Sequence, residues 1–193
     1  MRLKGKKILI TAGPTWVPID KVRVISNIAT GVTGILLAER LRRLGAKVKL
    51  LLGPFELGYL DKQIRRELRH KKYDIVIHSA AVSDYKPRRV LSGKIRSGIK
   101  SLKLDLVPTN KIINIVKRLS PGARLVGFKF EPQASRKHLI IEANKLMRSS
   151  LSELVVANTS GGRGYQAFIV SSTGASGPYF NKADLAASLV KQL

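Results

Sequence analysis

The sequence predicts one α/β domain, residues 1–193, built on a mainly parallel sheet. Three observations carry that prediction. Strand-like and helix-like segments alternate along the chain, the pattern left by parallel strands joined through crossover helices. At 193 residues and 44% apolar, the chain has the length and composition of a globular domain with a real core. No internal repeat and no low-complexity linker divides it.

Each element has its own local reason. Lys7–Ala12 is the first strand, an apolar run through Ile8, Leu9 and Ile10. Thr33–Leu44 reads as a helix, with Leu37, Leu41 and Leu44 on one side and Gly45 as its stop. Lys47–Leu52 is a second strand, ended by Gly53-Pro54. Leu60–Lys72 has helical spacing, and Asp74–Ala80 is a third strand. A polar stretch, Ser83–Lys100, is long for a simple strand-to-helix loop. Ser101–Val107 alternates Leu102, Leu104 and Leu106 with Lys103 and Asp105, which predicts a half-buried strand. Lys111–Leu119 is a short helix with Thr109 as its expected N-cap after Pro108. Leu125–Phe130 is a strand, Ser135–Ser149 a helix and Leu154–Ala157 a strand. Ala167–Ser171 and Gly177–Phe180 form a small C-terminal hairpin, and Asn181 caps a last helix, Lys182–Leu193.

Composition excludes several chemistries. Cysteine is absent, so there is no disulfide framework, thiolate nucleophile or cysteine zinc site. His70, His78 and His138 lack metal-ligand spacing. No apolar run reaches eighteen residues, so no membrane span is expected. The start, Met1-Arg2-Leu3-Lys4-Gly5, lacks the features of a secretory signal, and the expected location is the cytoplasm. The charge stands out: 36 Lys and Arg against 12 Asp and Glu give +24. Ion-pair networks need acids to pair with, and here two of every three bases lack one. So large a positive field points to a polyanion, most simply nucleic acid.

Four segments, at strand ends, before a helix and on a loop, carry candidate chemistry. Thr11-Ala12-Gly13-Pro14-Thr15 is a turn of small residues that can turn backbone N–H groups toward a phosphate, although a plain strand-end turn looks much the same. It is neither of the common glycine-rich phosphate motifs. Ser26, Asn27, Thr30 and Gly31 precede a helix whose N-terminus favours an anion; plain capping by Thr30 or Thr33 is the simpler alternative. Ser79-Ala80-Ala81-Val82-Ser83-Asp84 lies where open α/β sheets bind ligands. Asp84 there suits a metal ion, a ribose hydroxyl or merely a turn. Lys94, between Gly93 and Gly98, suits a triphosphate. Gly127-Phe128 and Ala157-Asn158 lie at two further strand ends. No serine–histidine–acid arrangement is visible. The residues alone reach nucleotide or phosphate binding, with transfer to an activated acyl group as one option.

In order and spacing, Ile10–Thr15, Pro18-Ile19-Asp20 with Val22-Arg23, Ile25-Ser26-Asn27, Thr30-Gly31, Gly53-Pro54, Ala80-Ala81-Val82 with Asp84-Tyr85, Gly93-Lys94-Ile95, Gly127-Phe128 and Ala157-Asn158 resemble the phosphopantothenate–cysteine ligase family. This is the synthetase half of the bifunctional coenzyme A biosynthesis flavoprotein, which also occurs as a standalone protein, the form expected for this chain. The resemblance implies a modified dinucleotide-binding (Rossmann-like) fold and a ligase that activates the carboxylate of 4'-phosphopantothenate with CTP or ATP, releases pyrophosphate, and passes the acyl group to cysteine. It implies Mg²⁺ on the triphosphate, no flavin and a homodimer with the Lys94 loop near the partner's site. It assigns Asn27 to the acyl-nucleotide intermediate and Lys94 to the triphosphate. Gly13, Thr15, Ala80, Ala81, Asp84 and Phe128 go to the nucleotide site, and Asn27 and Ala81 to substrate. The chain departs from the family pattern at Ala29-Thr30-Gly31-Val32, at Ser97 and at Thr159.

A second reading is a basic RNA- or ribosome-associated protein on the same fold, with weak or no ligase activity. Lys62, Arg65, Arg66, Arg69 and Lys72 recur at helical spacing as a basic stripe, to which Arg40, Arg42 and Arg43 add. A solvated helix face is the plain alternative.

Overall fold

The computed structural model describes residues 3–162 and 164–193, so Met1 and Arg2 of the expected leaderless start lie outside the described residues. The core is a seven-stranded sheet. β1 (Lys7–Ala12) sits beside β4 (Lys47–Leu52) and β6 (Ile75–His78). β9 (Arg124–Phe130) and β10 (Leu154–Thr159) extend the parallel set. Antiparallel β11 (Gln166–Ser171) and β12 (Gly174–Tyr179) close it, in the order β12-β11-β10-β9-β6-β1-β4. The α/β class, the parallel core and the C-terminal hairpin stand as the sequence predicts.

The apolar runs in these strands are explained by burial on both faces. Ile8, Ile10 and Ile77 pack with Leu37 and Leu41 of α1 (Val32–Arg43) and with Leu185 and Leu189 of α5 (Lys182–Gln192). Leu9 and Val76 point the other way, onto Leu60, Ile64 and Leu68 of α2 (Leu57–His70) and Val116 of α3 (Ile113–Leu119). α4 (Arg136–Ser150) covers Val155, Phe168 and Val170 through Leu139 and Ala143. Its N-cap is Ser135, and Asn181 caps α5 by accepting from the Asp184 amide at 2.8 Å. Among the described residues no helix is long and apolar enough to cross a membrane.

Two small sheets lie outside this core, and the sequence showed neither. β2 (Thr15–Pro18) and β3 (Val24–Ser26) form a hairpin directly after the Gly13 turn, with β5 (Phe55–Glu56) alongside. Farther on, β7 (Tyr85–Pro87) pairs with β8 (Leu106–Pro108), so residues 88–105 project as an arm. The strand expected over Ser101–Val107 shrinks to that short β8. Leu102, Leu104 and Leu106 are 47%, 38% and 42% exposed, because no layer covers the arm. Capping also differs. Ile112, already helical, precedes α3 without a side-chain cap, while the Thr109 hydroxyl donates instead to the Ser83 carbonyl at 2.6 Å. The N-cap of α1 is Gly31 rather than Thr30 or Thr33.

Candidate active site

The sheet order places the crevice. From β1 the chain crosses through α1 to β4 on one side. From β4 it crosses back through α2 to β6 on the other. The helices that follow β1 and β6, α1 and α3, therefore lie on opposite faces of the sheet, and the carboxyl edge between them is the usual place for a ligand in such sheets. Here the Thr15 amide donates to the Ala81 carbonyl at 3.0 Å, and the Ala81 amide donates to the Gly13 carbonyl at 2.9 Å. The Asn27 side-chain amide reaches the same Ala81 oxygen at 2.9 Å. Gly13, Thr15, Asn27 and Ala81 thus meet at one corner. Asn27 itself is exposed, with its amide oxygen left to accept.

Three glycines make that corner narrow. Gly13 and Gly31 have φ of 85° and 75°, a region that favours glycine. A Cβ on Gly31 would lie 2.6 Å from Leu52 Cδ1 and 3.1 Å from the Gly13 nitrogen, and one on Gly13 would lie 3.0 Å from the Gly53 nitrogen. Backbone therefore packs on backbone, and the start of α1 is brought against the Gly13 turn. α1 has no acid in its first turn, and its N-cap Gly31 offers no side chain; a long 3.5 Å bond from the Val32 amide to Thr30 Oγ1 is the side-chain contact there. Its free N–H groups and positive dipole end remain available to an anion.

Thr15 stands differently from its assignment to the nucleotide. It is fully buried, and its hydroxyl accepts from the Ser83 amide at 2.8 Å and lies 3.1 Å from Ser83 Oγ. This is a tie between the β1 and β6 loops, with no hydroxyl free for a ligand. Ala80 is half-buried and packs against the α2–α3 cluster. Below the crevice, Thr11 Oγ1 and His78 Nδ1 are 2.7 Å apart. Burial lowers the His78 pKa to about 4, so the ring is neutral near pH 7.

The remaining predicted site residues are farther out. Asp84 is exposed and ion-paired with Lys111 at 2.5 Å. Phe128 is half-buried on β9 and packs on the α1–α5 side of the core. Lys94 lies on the arm, and the sequence did not reveal what holds it. Asp20, in the β2–β3 turn, accepts from the amides of Val22, Arg23 and Ile95 at 2.7, 2.6 and 2.9 Å and from Arg23 Nη1 at 2.6 Å. The Ile95 amide leads these contacts in holding the Asp20 carboxyl well below the usual carboxylate range, against the opposing effect of desolvation. Lys94 is thereby fixed at the tip of the hairpin whose base carries Asn27. Five or so residues of extended chain separate tip and base by about 15 Å. The Asp20–Val22–Arg23 turn has a local signature, a carboxylate bonding amides two and three residues on; the Ile95 contact has none.

Among the described residues no three His, Cys, Asp or Glu side chains cluster as a metal cage. Mg²⁺ normally needs only one or two carboxylates and takes its other ligands from water and substrate phosphates. Asp84, expected to suit a metal ion, is a carboxylate just beyond the end of β6 that Lys111 already pairs with. In the predicted basic stripe, Lys62, Arg66 and Arg69 are exposed on α2. Arg65 instead turns onto Asp61 at 2.8 Å, and Lys72 lies beyond the helix end.

Comparison with known proteins gives the family and the fold. The family model for the DNA/pantothenate metabolism flavoprotein C-terminal domain matches residues 3–193. The coenzyme A biosynthesis bifunctional protein CoaBC of Thermococcus kodakarensis is 41% identical over 170 residues, covering 81% of this chain and 42% of that protein. The chain therefore spans about two-fifths of the length of such curated relatives. The solved DNA/pantothenate metabolism flavoprotein from Streptococcus pneumoniae superposes with a TM-score of 0.84 at 26% identity, over 97% of this chain and 98% of that one. The solved C-terminal domain of a CoaBC protein gives 0.78 at 26% identity, over 98% and 94%.

Proposed function

The chain belongs to the DNA/pantothenate metabolism flavoprotein C-terminal domain family, the phosphopantothenate–cysteine ligase family, and from that premise we propose that it is the ligase that joins 4'-phosphopantothenate to cysteine. One observation carries the reading: Asn27 is anchored on Ala81 at 2.9 Å, beside the Gly13 turn and the start of α1. A carboxylate is a poor acyl donor. Attack by its oxygen on the α-phosphate of CTP or ATP forms an acyl-nucleotide and releases pyrophosphate. Attack by the cysteine amine on that acyl carbon forms the amide and releases the nucleoside monophosphate. Asn27 offers an amide to orient the intermediate, and the free N–H groups of α1 offer a seat for a phosphate. Thr15 and Ser83 hold the two loops in register. Mg²⁺ would arrive with the triphosphate and neutralise part of its charge.

Lys94 enters from a second subunit in this reading. The β2–β3 hairpin and the arm expose Val22, Val24, Val90, Leu91 and Ile99 at 46–64%, and Ile28 is fully exposed. Apolar side chains gathered on an extended arm suit burial against another copy of the chain. A homodimer exchanging arms would carry Lys94 to the partner's Asn27 corner, where its charge meets the triphosphate.

The test is pyrophosphate release by purified protein with 4'-phosphopantothenate, Mg²⁺ and either CTP or ATP, with and without cysteine. Turnover that requires 4'-phosphopantothenate and yields the cysteine amide supports the ligase and names its nucleotide. No turnover with either nucleotide, from folded dimeric protein, overturns it.

A further inference from the structure

The ligase reading uses a local positive pocket and leaves most of the +24 charge without a task. That surplus is organised. In edge strand β4, Lys47 and Lys49 share the parity of Leu51, which packs on the α2 side of the sheet. Lys49 lines a concavity of about 480 Å³ with Gln63, Arg66, Glu67, His70 and Lys71. Its acid is already engaged: Glu67 accepts from Lys71 at 3.0 Å and from the Tyr73 hydroxyl at 2.5 Å. Asp61 is likewise taken by Arg65. Among the described residues, Lys47, Lys49, Lys62, Arg66, Arg69 and Lys72 have no ion-pair partner. Across the edge strand, Arg42 at the end of α1 reaches the Val48 carbonyl at 3.4 Å, adding a cation on the opposite side of the sheet.

This face is separate from the crevice. α2 starts beside the carboxyl edge and runs back, so Arg66 lies about 14 Å along the helix from Leu57, toward the opposite edge of the sheet. Small substrates in the crevice do not reach it. Lys62, Arg66 and Arg69, at i, i+4 and i+7, repel one another, which a bound anion would relieve. The chemistry of the face narrows the partner. No large apolar side chain between Lys62 and Lys72 is exposed, so it has no wedge for a membrane and no apolar centre for a protein interface. Its exposed aromatic, Tyr59, stands one turn before Lys62 with its ring against Phe55, and a lone ring gives no series of platforms for unpaired bases. What remains is a concavity lined by Lys49, Arg66 and Lys71, with Lys62 and Arg69 exposed on the same helix, a set of cations suited to regularly spaced phosphates.

We propose that the groove between α2 and the edge strand β4 binds the phosphate backbone of nucleic acid without sequence preference, independently of the ligase site. The experiment is fluorescence anisotropy of the full chain with a short labelled RNA duplex of mixed sequence. Five phosphate contacts give a slope of log affinity on log salt near −4.5, a loss of about 500-fold between about 50 and 200 mM salt. The triple variant Lys49→Glu, Arg66→Glu, Arg69→Glu should lower the slope by about 3 and weaken binding at least tenfold, while pyrophosphate release is kept. The neutral triple Lys49→Gln, Arg66→Gln, Arg69→Gln repeats the test with a milder change. A control triple, Lys137→Glu, Lys182→Glu, Lys191→Glu, changes net charge equally on other elements and should bind nearly as the native chain does. Equal losses in the groove and control variants, salt-insensitive binding, or binding to anionic phospholipid vesicles but not to the duplex would each overturn the proposal.

Discussion

Asp20 Oδ2 accepts a hydrogen bond from the Ile95 amide at 2.9 Å, joining residues 75 apart in the chain. The contact fixes the arm beside Lys94 to the tip of a hairpin that starts at the Gly13 turn and returns to Asn27. Asp20 is buried although charged, and four hydrogen bonds to its carboxylate hold it so, from three backbone amides and from Arg23 Nη1; the same Nη1 also donates to the Ile95 carbonyl at 3.2 Å. It touches no reacting atom in the proposed reaction, so it is a positioning residue.

Asp20→Asn sets an N–H₂ donor against one of the amides that now donate to the carboxylate. The arm should loosen and Lys94 lose its aim. Misplacing a catalytic group by about 1 Å costs as much as 10²-fold, so kcat is expected to fall by about that factor with a smaller change in the KM for phosphopantothenate. Amide hydrogen exchange at residues 91–97 should speed up in the same variant. Unchanged exchange with lost activity would point to a different role for Asp20.

If Asn27 and Lys94 complete each other's site across a dimer, two dead variants can repair one another. Asn27→Asp and Lys94→Gln should each abolish turnover alone. Mixed by co-expression, the two form heterodimers in which one of the two sites has both native residues. Random pairing then restores about a quarter of native activity. No recovery from verified heterodimers would place both residues in the same chain's site.

Much of this was legible beforehand, and the gaps have physical causes. The core strands announce themselves because burial on both faces demands continuous apolar runs such as Ile8-Leu9-Ile10. Ala81 could be named from its place at a strand end and Asn27 from its place before a helix, and the family resemblance supplied their expected roles. The hairpin at Trp16–Ser26 could not, since strands of three or four residues containing Pro18 carry too little periodicity. The leucine alternation in 101–107 misled because pattern reports amphipathicity and not whether a layer exists to cover it. Thr109 follows a proline as N-caps do, yet its hydroxyl is claimed by Ser83 from 26 residues away. Arg65 looked like one of a row of free cations until its Asp61 partner was seen.

Thr15 offers a way to tell a loop tie from a ligand contact. Thr15→Val keeps the shape but leaves the buried Ser83 amide without its acceptor. Stability should drop by about 1–3 kcal/mol in chemical denaturation. Thr15→Ser, which restores the oxygen, should recover most of it. A raised nucleotide KM with unchanged stability would instead return the hydroxyl to the nucleotide.

His78 makes the pH dependence of stability readable. Its ring is held neutral by burial, with a folded pKa of about 4 against 6.5 ordinarily. Between those values the unfolded chain binds the proton and the folded one does not. Stability is therefore highest above pH 6.5, and falls as pH drops toward 4 by roughly 3 kcal/mol from this group. Above about pH 5 the carboxylates do not confuse that slope. The Asp20, Glu67, Asp74 and Glu142 pKa values are all lowered, so their contributions are fully present above the ordinary carboxylate range and are lost as pH falls through it toward the lowered values. His78→Gln removes the titration while leaving an amide for Thr11. Urea midpoints measured from pH 4 to 7 should therefore slope less in the variant than in the native chain. Parallel slopes would mean that the ring takes up a proton in the folded state without cost.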